Sequence, residues 1–168
     1  MNECGGCGGK CCMDYAVALS VEDAKRIIAA GIEVDYSIDF TPVDDIECRC
    51  PDVLVDGRYA YMTLRRDDRG CCILSVLKGD NIKCGVHGLH PLVCRIYPFT
   101  EEKGKVAHRR KFRCERKWKP DEETENRIRN LLDLREKEIR EYEAVARKWN
   151  LSGGGCRKDF LSYILEVK

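Results

Sequence analysis

The sequence predicts an α+β fold built around a metal centre, and three observations carry the prediction. Twelve cysteines stand in a chain of 168 residues, four of them within the first dozen positions. Between residues 57 and 88 the apolar pattern has a period near two, the mark of short strands. From Pro120 to about Trp149 it has a helical period. The expected architecture is a small Cys-rich, metal-centred domain of short antiparallel strands, with a covering helix and a long C-terminal helix. Residues 1–119 would form the cysteine-cluster domain and residues 120–168 a helical extension packed on it.

The chain opens with MNECGGCGGKCC, in which Cys4, Cys7, Cys11 and Cys12 are separated by glycines that let the backbone fold round one point. Thiolates are soft ligands, so such a loop suits zinc or an iron–sulfur cluster. Disulfides are the competing explanation. Cys11–Cys12 and Cys71–Cys72 are sequence neighbours, however, and a bridge between Cα atoms only about 3.8 Å apart is strained. No apolar run precedes the cysteines and no stretch approaches the roughly 20 apolar residues that span a bilayer. The chain is therefore read as cytoplasmic and without a membrane partner, where metal binding is favoured over disulfides.

A helix is expected over 21–30, capped by Ser20 and Asp23, with Ala24, Ile27 and Ile28 inward and Gly31 as its stop. Residues 32–55 are irregular, broken by Pro42 and Pro51, and carry Cys48 and Cys50 as C-R-C. That pair is read equally as free thiols or as ligands, with thiol–disulfide switching as a lesser alternative. GRYAYMTLRR, CCILSVL and IKCGVH then read as three strands joined by polar turns. If CCILSVL is a strand, Cys72 points away from Cys71. In CGVHGLHPLVCRIYPF, Pro91 starts a helical turn bearing Cys94 and Pro98 ends it.

Residues 103–119 are strongly basic and contain Phe112, Cys114 and Trp118. Such a run could bind nucleic acid or an acidic partner, with the aromatics stacking on bases. A net charge of +1 and the acidic start of the following helix disfavour nucleic acid. The long helix carries an apolar stripe through Ile128, Leu131, Leu132, Ile139, Tyr142, Val145, Ala146 and Trp149. It either packs along the body or offers a surface to a protein partner. After NLSGGG, a short helix closes the chain, and Cys156 at its start is read as a bystander.

The joint pattern of CGGCGGKCC at 4–12, CCIL at 71–74, CGVHGLHPLVCRIYPF at 84–99 and Cys114 resembles the CxxCxxCC cysteine-cluster family of zinc- or iron-chelating domains. Cys71, Leu74, Cys84, Pro91, Cys94, Arg95, Tyr97, Pro98 and Phe99 match its second half. His87 stands where the family has an aromatic residue, His90 where it has arginine, and the loop between Cys7 and Cys11 is one residue longer. Together the readings give a metal ligand set of Cys4, Cys7, Cys11, Cys12, Cys71, Cys84, Cys94 and Cys114, with His87 and His90 as further candidates. His108 is expected to face solvent. Arg95 is the candidate cofactor contact, its guanidinium offsetting thiolate charge. An iron–sulfur cluster is slightly preferred to zinc, in a structural or electron-transfer role. The resemblance extends to flagellin lysine methylases linked with S-adenosylmethionine, which makes an enzyme the alternative. No phosphate loop, catalytic carboxylate pair or nucleophile motif supports that independently.

Overall fold

The computed structural model describes residues 9–46, 48–79, 81–86, 88–109 and 119–167. Cys4, Cys7, His87, Phe112, Cys114 and Trp118 therefore lie outside the described residues. Helices and short antiparallel strands are both present in separate runs along the chain, and a long helix lies near the C-terminus, giving the expected α+β class.

The central sheet is β1 (Ile38–Pro42), β3 (Arg58–Leu64) and β2 (Val53–Val55), in the order β1-β3-β2 and antiparallel throughout. Two of its strands come from the stretch that the sequence presents as irregular. They are short, and Pro42 falls at the last position of β1, where a missing N–H is tolerated. The chain entering α2 (Val21–Ala29) also runs beside β3: the Leu19 N–H donates to Met62 O at 2.9 Å and the Leu64 N–H to Val17 O at 2.8 Å. Two separate hairpins follow, β4 (Ser75–Lys78) with β5 (Asn81–Cys84), and β6 (Phe99–Glu102) with β7 (Lys105–His108). The second hairpin occupies the first half of the basic stretch. It stacks His108 on Phe99 at 5.0 Å between ring centroids and leaves that histidine half-buried, not turned to solvent as expected.

The helices are α1 (Lys10–Asp14), α2 (Val21–Ala29), α3 (Val34–Ser37), α4 (Leu92–Ile96), α5 (Glu122–Leu151) and α6 (Arg157–Glu166). α2 is closed by the expected capping box. Ser20 Oγ accepts from the Asp23 N–H at 3.0 Å, and Asp23 accepts from the Ser20 N–H at 3.2 Å. α5 starts at an Asp121 cap that accepts from the Thr124 N–H at 2.8 Å.

At 30 residues α5 is about 45 Å long, and it spans two apolar clusters. Its first half buries Ile128 against Leu92, Ile96 and Phe99. Its second half adds Tyr142, Val145 and Trp149 to the main core, where they join the inward faces of the central sheet and α2. There Phe160 of α6 meets Trp149 edge-on at 5.3 Å and Phe40 of β1 at 5.9 Å. The end of α5 is fastened to β2: Trp149 Nε1 donates to Leu54 O at 2.9 Å, and Asn150 Oδ1 accepts from the Leu54 N–H at 2.8 Å. Gly154, at φ +70°, makes the return to β2 possible, since a Cβ there would sit 2.4 Å from Leu54 O.

A buried polar knot joins α2, α4 and α5. Asp23 and Glu138 are only 3% and 5% exposed. Arg26 donates to both, Ser20 Oγ donates to Glu138, and the Leu92 N–H at the start of α4 donates to Asp23 Oδ1 at 2.9 Å. Burying two carboxylates is tolerable because each is paired and hydrogen-bonded.

Candidate metal centre

Four segments bring thiols to one place. Gly9, at φ +70°, opens α1, and a Cβ at that position would lie 2.7 Å from both Cβ and O of Ile82. Glycine thus lets α1, with Cys11 and Cys12, lie directly on β5, which ends in Cys84. The Cys72 N–H donates to Cys12 O at 2.7 Å, fixing the 71–74 turn against the same helix. Asp23 holds the start of α4, and the first turn of that helix carries Cys94. Cys11, Cys12, Cys72, Cys84 and Cys94 consequently line one cavity of about 560 Å³.

The thiols influence one another strongly. Hydrogen bonding from the Cys12 side chain draws the Cys11 pKa down to about 7, and the same contact pushes Cys12 up. Burial raises Cys72 and Cys84, and neighbouring thiol charge adds to both shifts. Cys94 is pushed well up by burial first, then by Cys11, Cys72 and Cys84. Several thiolates crowded into a low-dielectric pocket oppose each other's ionisation, and a bound cation removes that opposition. The donor set therefore fits a thiophilic metal. Among the described residues no three Cys, His, Asp or Glu side chains already form a closed metal-ligand group. Completing a ligand shell would call on Cys4, Cys7, Cys114 or His87, all outside the described residues.

Two expected positions fall elsewhere. Cys71 does not line the cavity; Cys72 does. The reason is local. Residues 71–74 form a turn and not a strand, and Cys71 is locked into a loop in which its N–H donates to Asp67 Oδ1 at 2.8 Å and its C=O accepts from the Asp67 N–H at 2.8 Å. Arg95 is exposed and lies off the cavity, because one helical step from Cys94 turns a side chain by about 100°. His90 does line the cavity, and its Nδ1 accepts weakly from the Gly88 N–H at 3.4 Å. Cys156 caps α6 and is exposed, far in role from the other thiols.

Four residues at the cavity had no sequence signal, or one too weak to place them. Cys48 lines it, with its sulfur accepting from the Cys50 N–H at 3.2 Å. Arg49, Arg109 and Arg135 line it too, from the C-R-C segment, the end of the β7 hairpin and the middle of α5. They lie far apart in sequence, so no motif could group them.

A family model, CxxCxxCC, described as a "putative zinc- or iron-chelating domain", matches residues 3–117. No curated protein and no solved structure matches the chain.

Proposed function

The chain belongs to the CxxCxxCC family of zinc- or iron-chelating domains, and from that premise we propose that it holds an iron–sulfur cluster in a structural or electron-transfer role. The supporting observation is the convergence of Cys11, Cys12, Cys72, Cys84 and Cys94 from four segments on one cavity. All-cysteine donors held by glycine-bearing turns suit a cluster, and zinc is the alternative with the same donors. Cys4, Cys7 and Cys114 complete the proposed ligand set, with Cys72 in the place first expected for Cys71.

In this reading the protein's own residues do three things. Gly9 and the Cys72–Cys12 backbone bond hold two thiols of α1 against Cys84. Asp23 fixes the register of the Cys94 helix. Burial behind Leu64, Leu74 and Val93 limits water at the sulfurs. When bound, a cluster would supply one-electron chemistry, whereas zinc would supply folding energy alone.

The test is anaerobic purification with metal and sulfide analysis. Visible charge-transfer absorption that dithionite bleaches, with iron and acid-labile sulfide in stoichiometric amounts, is the expected result. A colourless protein with stoichiometric zinc would replace the cluster by the alternative, and absence of any metal would end both. Cys72→Ser and Cys94→Ser should each lower metal content and unfold more easily, because metal binding is coupled to folding. Cys71→Ser should leave metal content unchanged.

A further inference from the structure

The thiol cavity has a second wall whose chemistry the metal reading does not use. Arg49, Arg109 and Arg135 all line it, and among the described residues none of them forms an ion pair with a carboxylate. The guanidinium of Arg109 makes one hydrogen bond, from Nε to Phe99 O at 3.3 Å. Burial, then the like charge of Arg135 and more weakly that of Arg49, lowers its pKa, against opposing contributions from Tyr97 and Tyr15. The Cys48–Cys50 thiol pair feels the charge of Arg135, which favours its thiolate. Arg109 and Arg135 are half-buried while Arg49 is exposed, and half-buried cations without carboxylates are costly unless an anion joins them.

Next to these arginines the walls change character. Tyr15 and Tyr97 lie with ring centroids 5.6 Å apart, and Val17, Leu64 and Leu74 continue the apolar surface inward. A volume of about 560 Å³ lies within the roughly 300–1,000 Å³ of small-molecule sites, which typically combine apolar walls with a few convergent polar groups. We propose that this cavity binds a small organic anion, a carboxylate or phosphate monoester with an apolar body, whose charged end sits on Arg49, Arg109 and Arg135 and whose body lies on the tyrosines beside the thiols. Guanidinium forks match both headgroups bidentately. The proposal goes beyond the metal reading and stands for either metal, because its groups are not the proposed ligands. The rival account is that the arginines only offset the charge of a multi-thiolate centre.

Titration calorimetry on the full, metal-loaded chain separates the two accounts, with metal content measured on every sample. Phenylacetate and phenyl phosphate are the probes, and phenylacetamide is the neutral control. At least one anion should bind saturably and more weakly as salt rises, and the amide should bind about tenfold more weakly or worse. Arg109→Gln and Arg135→Gln should each weaken the anion about tenfold or more, whereas the exposed Arg95→Gln should leave it unchanged. Arg109→Lys keeps the charge but not the bidentate fork, so it should weaken binding less than Arg109→Gln does, which guards against reading a folding defect as lost recognition. A preference for phenyl phosphate, with inorganic phosphate competing, identifies a phosphate ligand; a preference for phenylacetate identifies a carboxylate. Failure of both anions to bind a protein with full metal content would overturn the proposal and leave the metal reading intact. So would equal binding of the amide, or Arg109→Gln and Arg135→Gln variants that change metal retention but not anion affinity.

Discussion

Replacing Asp23 by alanine should damage the fold and the thiol site together. The carboxylate is 3% exposed and accepts from the Ser20 N–H, the Leu92 N–H and the Arg26 guanidinium. Its loss strands the Leu92 N–H in a residue only 2% exposed, a cost of about 1–3 kcal/mol. Removing half of the α2 capping box adds about 0.5–1 kcal/mol. Arg26 is 35% exposed and keeps Glu138, so its lost pairing adds little after solvent screening, under about 1 kcal/mol. The sum is about 3 kcal/mol, or on the order of 10 °C in Tm for a chain of this size. Urea unfolding with an unchanged m-value checks the energy, and metal analysis of the same samples checks the site. Because Leu92 begins the helix that carries Cys94, metal retention should fall as well. Asp23→Asn keeps an acceptor for the Leu92 N–H and should lose less than half as much. A loss below about 1 kcal/mol for the alanine variant, with full metal content, would refute the claim that Asp23 positions α4.

Three further outcomes follow from single contacts. Gly9→Ala combines a strained φ of +70° with a Cβ 2.7 Å from Ile82, so it should cost about 1–3 kcal/mol in chemical denaturation and weaken metal retention by moving α1 off β5. Tyr142→Phe should be neutral or stabilise by up to about 1 kcal/mol in thermal melts, since the buried hydroxyl has no hydrogen-bond partner among the described residues; a larger loss would reveal a partner. Cys48, drawn down to about 6 chiefly by hydrogen bonding with the Cys50 thiol, should alkylate with iodoacetamide with a midpoint near pH 6, followed by peptide mass spectrometry. Its depressed pKa contributes stability above the unfolded thiol pKa of about 8.5, and that contribution is lost as pH falls through about 6. Cys50→Ala, which removes the side-chain donor, should move the midpoint upward.

What the sequence made legible was local. The Ser20–Asp23 cap, the Gly31 stop and the long helix expected from about Pro120 each depend on residues close in sequence, and each is found within two residues of where the sequence puts it. The Cys71–Cys72 pair shows where such reasoning ends. A strand would place alternate residues on opposite faces, and the family resemblance favoured Cys71, but Asp67 closes a turn that turns Cys72 inward. β1 and β2 were illegible because they are three to five residues long and owe their structure to β3 between them. Short strands carry too little pattern of their own to outweigh nearby prolines and aspartates.

The long helix ties these observations together. α5 contributes Ile128 to the cluster beneath α4, Arg135 to the cavity, Glu138 to the polar knot and Tyr142 to the main core. Those positions fall within about four turns, at spacings that keep them along one side of a helix. Its length is thus explained from inside the molecule: it must reach from the α4 cluster to β2, with the thiol cavity between them. Destabilising either end should be felt at the cavity, and Asn150→Ala, which removes that side chain's bonds to Leu54 N–H and Asp52 O but leaves the Trp149–Leu54 bond, provides the remote case. It should cost about 1–3 kcal/mol in urea unfolding, since the Leu54 N–H is left unpaired. If α5 acts as one rigid strut, the same variant should also weaken anion binding by a few-fold despite lying several turns from Arg135. Stability lost at full anion affinity would show instead that the two ends of the helix are energetically independent.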